Sequence, residues 1–300
     1  MSDFKQLAII GPTASGKTSL AIRTAQRLDA YILSLDSLSV YKEIDIVSAK
    51  PTKEERGDIV HFGIDHLSPD EDFDVTLFTH LYKQVRQQCI KEQKNLVIVG
   101  GTSFYLKILL EGISQRPPLL ERHKEQVSLW MQDLTSAYTM LNKIAPLHMQ
   151  TIEPSDRYRI EKALEVYAVT GENPDRYFTT HPPKPVITEP LPLYEIVWER
   201  EKLRERIRQR TEAMLKSGLI DEIIMLERRY TRAPNCMKAI GIKETLMYLD
   251  GIYDKKTLTE KITINTGRLA KRQETFNRSQ FEHVIKGDFE ILEKLLLKQS

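Results

Sequence analysis

Cysteine is nearly absent from this chain. Cys89 and Cys236 are the only two thiols in 300 residues, far apart and in no CxxC pair. That excludes a disulfide framework and a cysteine-rich zinc site. It suits a reducing compartment, so a cytoplasmic protein is expected. Long apolar runs are missing too. None approaches the roughly 20 residues that a membrane helix needs, so no membrane association is expected. The chain enters an apolar strand within a few residues of Met1, which argues against a signal or transit peptide. The seven histidines form no HExxH pattern, and the closest pair, His61 and His66, is expected to be structural. Charge of one sign is not in excess, since 44 basic residues stand against 42 acidic ones. The basic residues still gather at 157–162, 200–210 and 268–278, with acids between them. A nucleic-acid partner is thereby allowed, not demanded. No internal repeat or low-complexity tract is present.

What is present fits a globular protein: 41% hydrophobic and 29% charged residues. The length suggests one core with a sizeable insertion. The first third alternates strand and helix. Strands are expected at 7–10, 31–35 and 95–99, and a helix at 15–28. An irregular stretch holds Pro51 and Gly57. A second helix is capped by Asp74 and carries Val75, Phe78, Leu81, Val85 and Cys89 at helical spacing. From about Ser114 the pattern changes. Pro117-Pro118 breaks the chain, and two or three helices follow without a strand. Ile160, Ala163, Leu164, Tyr167 and Ala168 form a stripe on one of them, which Gly171 and Pro174 end. After the linker "HPPKPVITEPLPL", residues 194–198 read as a strand rejoining the sheet. Helices are expected at 199–216, 220–230, 242–249 and 258–281. No feature argues for a symmetric interface, so a monomer is expected.

Residues 11–18 read "GPTASGKT". Gly11, Gly16, Lys17 and Thr18 satisfy GxxxxGK[ST], and the loop leaves a strand and opens a helix, the context that gives the motif meaning. Its backbone N–H groups and the helix N-terminus attract phosphate. Lys17 would neutralise phosphate oxygens, and Thr18 would hold Mg²⁺. Alone, the loop reads as nucleotide-binding, with ATP as the default. Nucleotide hydrolases, however, end a later apolar strand in an Asp that helps hold Mg²⁺. Here that strand, "NLVIVGGTSFY", ends in Gly100-Gly101-Thr102. The available carboxylate is Asp36, at the end of "ILSLDS". Ligands of open parallel sheets sit beyond the carboxyl ends of strands, where Gly11–Thr18, Asp36 and Thr102 are all expected. One carboxylate facing a bound phosphate suggests a general base. The expected fold is α/β: a P-loop NTPase-like parallel sheet core, 1–113 and 191–300, interrupted by an all-helical insertion at 114–190.

Two arginines lie on apolar stripes. Arg210 stands three after Ile207 and four before Met214, and Arg206 is next to it on the helix surface. A buried-stripe arginine needs an anion, either an internal acid or a phosphate clamped by the guanidinium fork. Arg272 sits likewise between Leu269 and Phe276, where an ion pair is the favoured expectation.

With these residues in place, "GPTASGKT", "DSLSVY", "DIVSAKPT", "VGGTSFY", "DRYRIEKALEVYAVTG", "RIRQRTEAMLKSGLIDEI", "AIGIKE" and "RLAKRQETF" together resemble the bacterial tRNA dimethylallyltransferase family. The resemblance implies transfer of a dimethylallyl group from dimethylallyl diphosphate to the exocyclic amino group of the adenosine 3′ of the anticodon. It implies that Gly11, Pro12, Thr13, Ala14, Ser15, Gly16, Lys17 and Thr18 hold diphosphate rather than ATP, with Mg²⁺. It makes Asp36 the base toward the amino group, Thr102 a contact near the breaking bond, and Arg210 a diphosphate clamp. It places tRNA contacts at Asp36, Ser37, Leu38 and Ser39, and at Lys124. It places others at Tyr158, Arg159, Ile160, Glu161 and Lys162, and at Ala239, Ile240, Gly241, Ile242, Lys243 and Glu244. The helical insertion would grip the anticodon stem-loop. The chain departs from the family pattern at Ser39 (usually Gln), Lys162 (usually Arg), Ile242 (often an aromatic) and Phe276-Asn277 (usually Trp and an apolar residue). "DIVSAKP" stands where DIGTAKP is commoner. Two other readings cover part of the sequence. A P-loop small-molecule kinase accounts for the loop and Asp36, and a non-catalytic RNA-binding P-loop protein accounts for the basic helices.

Overall fold

The computed structural model describes residues 4–298. In chain order the elements are β1 (Gln6–Ile10), α1 (Lys17–Leu28), β2 (Ala30–Ser34), α2 (Lys53–Arg56), β3 (His61–Phe62), α3 (Val75–Lys91), β4 (Asn95–Gly100) and α4 (Ser103–Glu111). Then come α5 (Glu121–Trp130), α6 (Leu134–Ile144), α7 (Pro146–Met149), α8 (Arg157–Thr170) and α9 (Pro174–Thr180). The chain closes with β5 (Leu193–Ile196), α10 (Arg200–Lys216), α11 (Leu219–Tyr230), α12 (Ile242–Leu249), α13 (Lys255–Gln280), β6 (Ile285–Gly287) and α14 (Phe289–Lys298).

Six strands form one sheet in the order β3-β2-β4-β1-β5-β6, and every pairing is parallel. Parallel strands need covered faces, and that is why β1 and β4 read as unbroken apolar runs. On one face Leu7, Ile9, Ile32, Val97, Val99 and Ile196 pack against Leu20, Ala21 and Ala25 of α1 and Leu292 and Leu296 of α14. Against β2 and β4 on the sheet lies α3, which buries Phe78, Leu81, Tyr82, Val85 and Cys89. Each such large side chain contributes roughly 1.5–3 kcal/mol when fully buried. Asp74 caps α3 by accepting from the Thr76 and Leu77 amides.

Several boundaries differ from expectation. Helix α1 starts at Lys17 rather than 15, because Gly16 holds a left-handed φ of 95°. Strand β2 covers 30–34 rather than 31–35. The return strand ends at Ile196, so Trp198 lies beyond it. The stretch expected to be irregular contains α2 and β3. Strands β3 and β6 have two and three residues, too short to show alternation, and the sheet supplies their partners.

Residue contacts divide the chain into Met1–Leu109 with Ile187–Ser300, and Leu110–Val186. The expected insertion was 114–190; the Ile187 amide donates to Leu109 O at 2.9 Å, within the sheet unit. The second unit has helices only, α5 to α9 after the end of α4, where two or three were expected. Short α7 and α9 open with Pro146 and Pro174. Val127, Met131, Leu141, Met149, Ile152, Ile160 and Leu164 form its core. Among the described residues no helix is long and apolar enough to cross a membrane.

Gly100 ends β4 directly beside Leu35. A Cβ there would stand 2.5 Å from Leu35 Cβ and 2.7 Å from its carbonyl carbon. Gly100→Ala should therefore overpack the strand ends and cost about 1–3 kcal/mol, read as a lowered Tm. An unchanged Tm would mean that β4 can shift away from Leu35.

Candidate active site

All strands run the same way, so their carboxyl ends share one edge of the sheet. Loop 11–18 follows β1, residues 36–39 follow β2, and Gly101-Thr102 follow β4. Because β4 lies between β1 and β2, the three loops are neighbours. They enclose a cavity of about 500 Å³. Thr13, Lys17, Thr18, Asp36, Ser37, Leu38, Ser39 and Thr102 line it, together with Arg210 from α10 and Ala239, Ile240 and Gly241 ahead of α12.

The loop is shaped by its backbone. Gly11 has φ 147°, and a Cβ there would meet Ile196 O at 2.8 Å. Ala14 and Gly16 are left-handed, with φ of 64° and 95°. Gly11, Pro12 and Ser15 are buried supports. Lys17 Nζ donates to Pro12 O at 2.7 Å, and the Thr13 amide donates to Gln273 Oε1 at 2.8 Å. The amides of Ala14, Gly16, Lys17 and Thr18 have no acceptor among the described residues. They form an anion nest at the start of α1.

Three cations, Lys17, Arg210 and Arg272, and one carboxylate, Asp36, line the cavity. Burial and then the nearby Arg210 lower the Lys17 ammonium from its usual 10.5 to about 7, against the opposing effect of Asp36. Burial likewise lowers Arg210, again opposed by Asp36. Arg210 has no ion-pair partner among the described residues. Its Nη1 reaches Thr13 Oγ1 at 3.4 Å. The internal ion pair that would explain its place on the stripe is thus not there. Arg272 also lines the cavity and makes no ion pair among the described residues, where one was expected. Its stripe neighbours Leu269 and Phe276 line the cavity too.

Asp36 uses one oxygen structurally. Its Oδ1 accepts from the Leu38 and Ser39 amides at 2.8 and 3.1 Å. Its Oδ2 accepts no hydrogen bond from the described residues. Thr102 stands beside it, since Thr102 Oγ1 accepts from the Ser37 amide at 3.4 Å. That leaves the threonine hydroxyl hydrogen free to donate.

The remaining expected contacts divide. Ala239, Ile240 and Gly241 line the cavity, and Lys243 is exposed. The Ile242 side chain is fully buried against Val40, Ile223 and Leu246. Glu244 is buried as a brace, accepting from the Gly241 amide at 2.7 Å and from Asn265 Nδ2 at 2.7 Å. Neither side chain reaches the surface. In the helical unit, Tyr158, Arg159 and Lys124 are exposed, while Ile160 is fully buried in the core. Lys162 pairs with Glu165 at 2.5 Å, lies 5.6 Å from the Tyr158 ring centroid, and lines a surface depression with Lys124, Arg157 and Glu161.

Two residues escaped the sequence reading. Gln273 bridges two loops, accepting from Thr13 N and donating to Gly101 O at 3.0 Å. Its signal was available: it lies four after Leu269 and three before Phe276, a polar residue on the cavity stripe. Glu222 of α11 accepts from three successive amides, Asp45, Ile46 and Val47, at 2.6–3.0 Å. It thereby fixes the wall that carries Val47 to Ala49, and nothing in the local sequence announces it.

A family model described as IPP transferase matches residues 39–280. The chain is 62% identical to a tRNA dimethylallyltransferase of Sulfurovum sp., over 98% of each protein. It is 52% identical to the protein of that name from Aliarcobacter butzleri, over 92% of each. Among solved structures it is similar to the full-length tRNA isopentenylpyrophosphate transferase of Bacillus halodurans, with a TM-score of 0.72 at 29% identity, covering 98% of this chain and 94% of that one. With this cavity at the end of a P-loop sheet and those likenesses along nearly its whole length, the chain belongs to the IPP transferase family of prenyltransferases.

Proposed function

We propose that this chain moves a dimethylallyl group from dimethylallyl diphosphate to the exocyclic amino group of the adenosine 3′ of the anticodon in tRNA, as a cytoplasmic monomer. One observation carries the reading. A single cavity is lined by Thr13, Lys17 and Thr18 of the loop and by Arg210, and also by Asp36, whose Oδ2 accepts no hydrogen bond from the described residues, while β4 ends in glycine and threonine rather than an acid. In the reaction the carbon–oxygen bond of the allylic diphosphate breaks, and its electrons leave on the diphosphate. The adenosine amino nitrogen forms the new bond to carbon, and Asp36 Oδ2 takes the proton it loses. Loop amides, Lys17, Thr102 and Arg210 stabilise the leaving charge. The target base has to leave its stack to enter such a pocket. In the helical unit, Lys124, Tyr158, Arg159 and Lys162 offer cations and a ring to the tRNA.

Mg²⁺ fits the oxygen donors at hand. Thr18 is exposed with a hydroxyl that makes no bond to the described residues. Those residues hold no cluster of three or more His, Cys, Asp or Glu for a metal. A small hard cation held by one or two protein oxygens suits Mg²⁺ completing its shell with phosphate and water. When bound, it would neutralise charge on the departing diphosphate.

Purified protein, dimethylallyl diphosphate, Mg²⁺ and unmodified tRNA should yield prenylated adenosine by nucleoside mass spectrometry. ATP turnover without prenyl transfer would overturn the reading in favour of a kinase. Asp36→Ala should lower kcat by about 10²–10⁴-fold and spare diphosphate binding. A normal saturated rate with lost binding would show that Asp36 is not the base. Arg210→Ala should cost about 10²–10³-fold in kcat/KM. An unchanged value would make Arg210 structural.

Lys17 gives a pH test. In the free protein its amine titrates at about 7, and a bound anion favours the charged form. Above pH 7 the free protein has lost that proton, so binding must recover it. Pyrophosphate affinity should therefore weaken as pH rises, by up to about tenfold per unit from this group. Lys17→Met should have a shallower slope, seen by calorimetry. Equal slopes would remove Lys17 from the anion site.

A further inference from the structure

The loop that would hold diphosphate is tied from outside by two side chains that line no part of the cavity. Trp198 Nε1–H donates to Ser15 O at 2.9 Å. Arg206 Nε–H donates to Ala14 O at 2.8 Å. The two donors are stacked, the Arg206 guanidinium carbon lying 4.6 Å from the Trp198 ring centroid. Arg206 also reaches along the loop, its Nη2 falling 3.9 Å from where a Cβ on Gly16 would stand. With Lys17 on Pro12 O, three of the loop's carbonyls have donors of their own.

This matters because the loop is strained and its useful groups are its amides. Ala14 is a non-glycine residue at φ 64°. Such a conformation persists only when neighbours hold it. A peptide unit is planar, so fixing a carbonyl fixes the amide on its other side. The Ala14 carbonyl belongs to the Ser15 amide unit, and the Ser15 carbonyl to the Gly16 amide unit. Gly16 N–H is one of the groups left free for an anion. An unbraced loop could turn a carbonyl oxygen into the nest, where it would repel a phosphate.

We infer that Trp198 and Arg206 act together as positioning residues that hold the Ala14 and Ser15 carbonyls outward and keep the loop amides aimed at the leaving group. Neither is a catalytic residue. Trp198 follows β5 and Arg206 lies on the first half of α10, so the brace also couples the loop to the helix that carries Arg210. The inference rests on reading loop 11–18 as an anion site, the basis of the proposed function.

The test uses the whole chain and two readouts. The first is backbone hydrogen exchange of the ligand-free protein. Trp198→Phe keeps a ring but loses the donor, and Arg206→Gln loses the guanidinium. Both should speed exchange in the peptide covering 12–18 and leave the β2 and β4 peptides as in wild type. The second is pyrophosphate affinity by calorimetry, expected to fall about fivefold to tenfold for each variant. Arg206→Lys keeps the charge without the stacked fork and should bind as weakly as Arg206→Gln. Restoration by lysine would show that charge alone acts, and would overturn the brace. So would unchanged loop exchange, or faster exchange throughout with a lowered Tm. Failure of prenyl transfer by the wild-type protein would reject the proposed reaction while leaving the exchange result to decide the brace.

Discussion

The placement of β4 between β1 and β2, parallel to both, is the constraint on which the site depends. It puts the ends of three strands side by side. Leu35 completes the arrangement. Its amide donates to Val99 O at 2.7 Å, and its carbonyl accepts from Thr102 N at 3.1 Å. One residue thus joins the end of β2 to the end of β4, and the glycine at 100 leaves room for it. Asp36 and Thr102 become neighbours for that reason, although 65 residues of chain separate them. An antiparallel β4 would have sent Thr102 to the opposite edge.

On this frame the cavity concentrates positive charge. Burial lowers both Lys17 and Arg210, Arg210 lowers Lys17 further, and Asp36 opposes both shifts. Among the described residues neither makes an ion pair, so their charge is available to a ligand. Helix α13 closes the arrangement through Gln273, whose amide group bonds loop 11–18 and the β4 loop at once. A cation whose charge is disfavoured by burial and a hydrogen-bonded brace thus meet at one loop. That is what a leaving-group site requires: stabilisation that is strong where charge develops and already in place before it does.

Much of this was legible from the residues. The unbroken apolar runs of β1 and β4, the loop between β1 and α1, and the stripe position of Arg210 follow from spacing alone. So does the absence of an acid after β4. What escaped has a common character. Glu222, Trp198 and Arg206 act through bonds from side chain to backbone across long sequence separations, and such bonds leave no periodic trace, whereas Gln273 did stand on the cavity stripe. Strands β3 and β6 escaped because the sheet, not their own pattern, defines them. The runs of contacts implied by family likeness mix buried and exposed side chains. Ile160, Ile242 and Glu244 sit on faces that helical geometry turns inward, while their neighbours Arg159 and Lys243 turn outward.

The departures from the family pattern read differently once their surroundings are known. Ile242 stands where a ring is common, yet it is sealed in an apolar cluster, so the change belongs to packing rather than to a surface contact. Ser39 is different, because it is buried but lines the cavity. A shorter side chain there changes the space available to a ligand. Phe276 lines the cavity as well, keeping an aromatic wall where the family has a larger one. Asn277 faces away into the protein. Its Nδ2 donates to Glu195 Oε1 at 2.9 Å, and Lys286 reaches Glu195 Oε2 at 3.3 Å. Glu195 is 4% exposed on a central strand, where a carboxylate needs partners. An apolar residue at 277 would take one of them away. Asn277 therefore serves the buried acid on β5 and does not face the cavity.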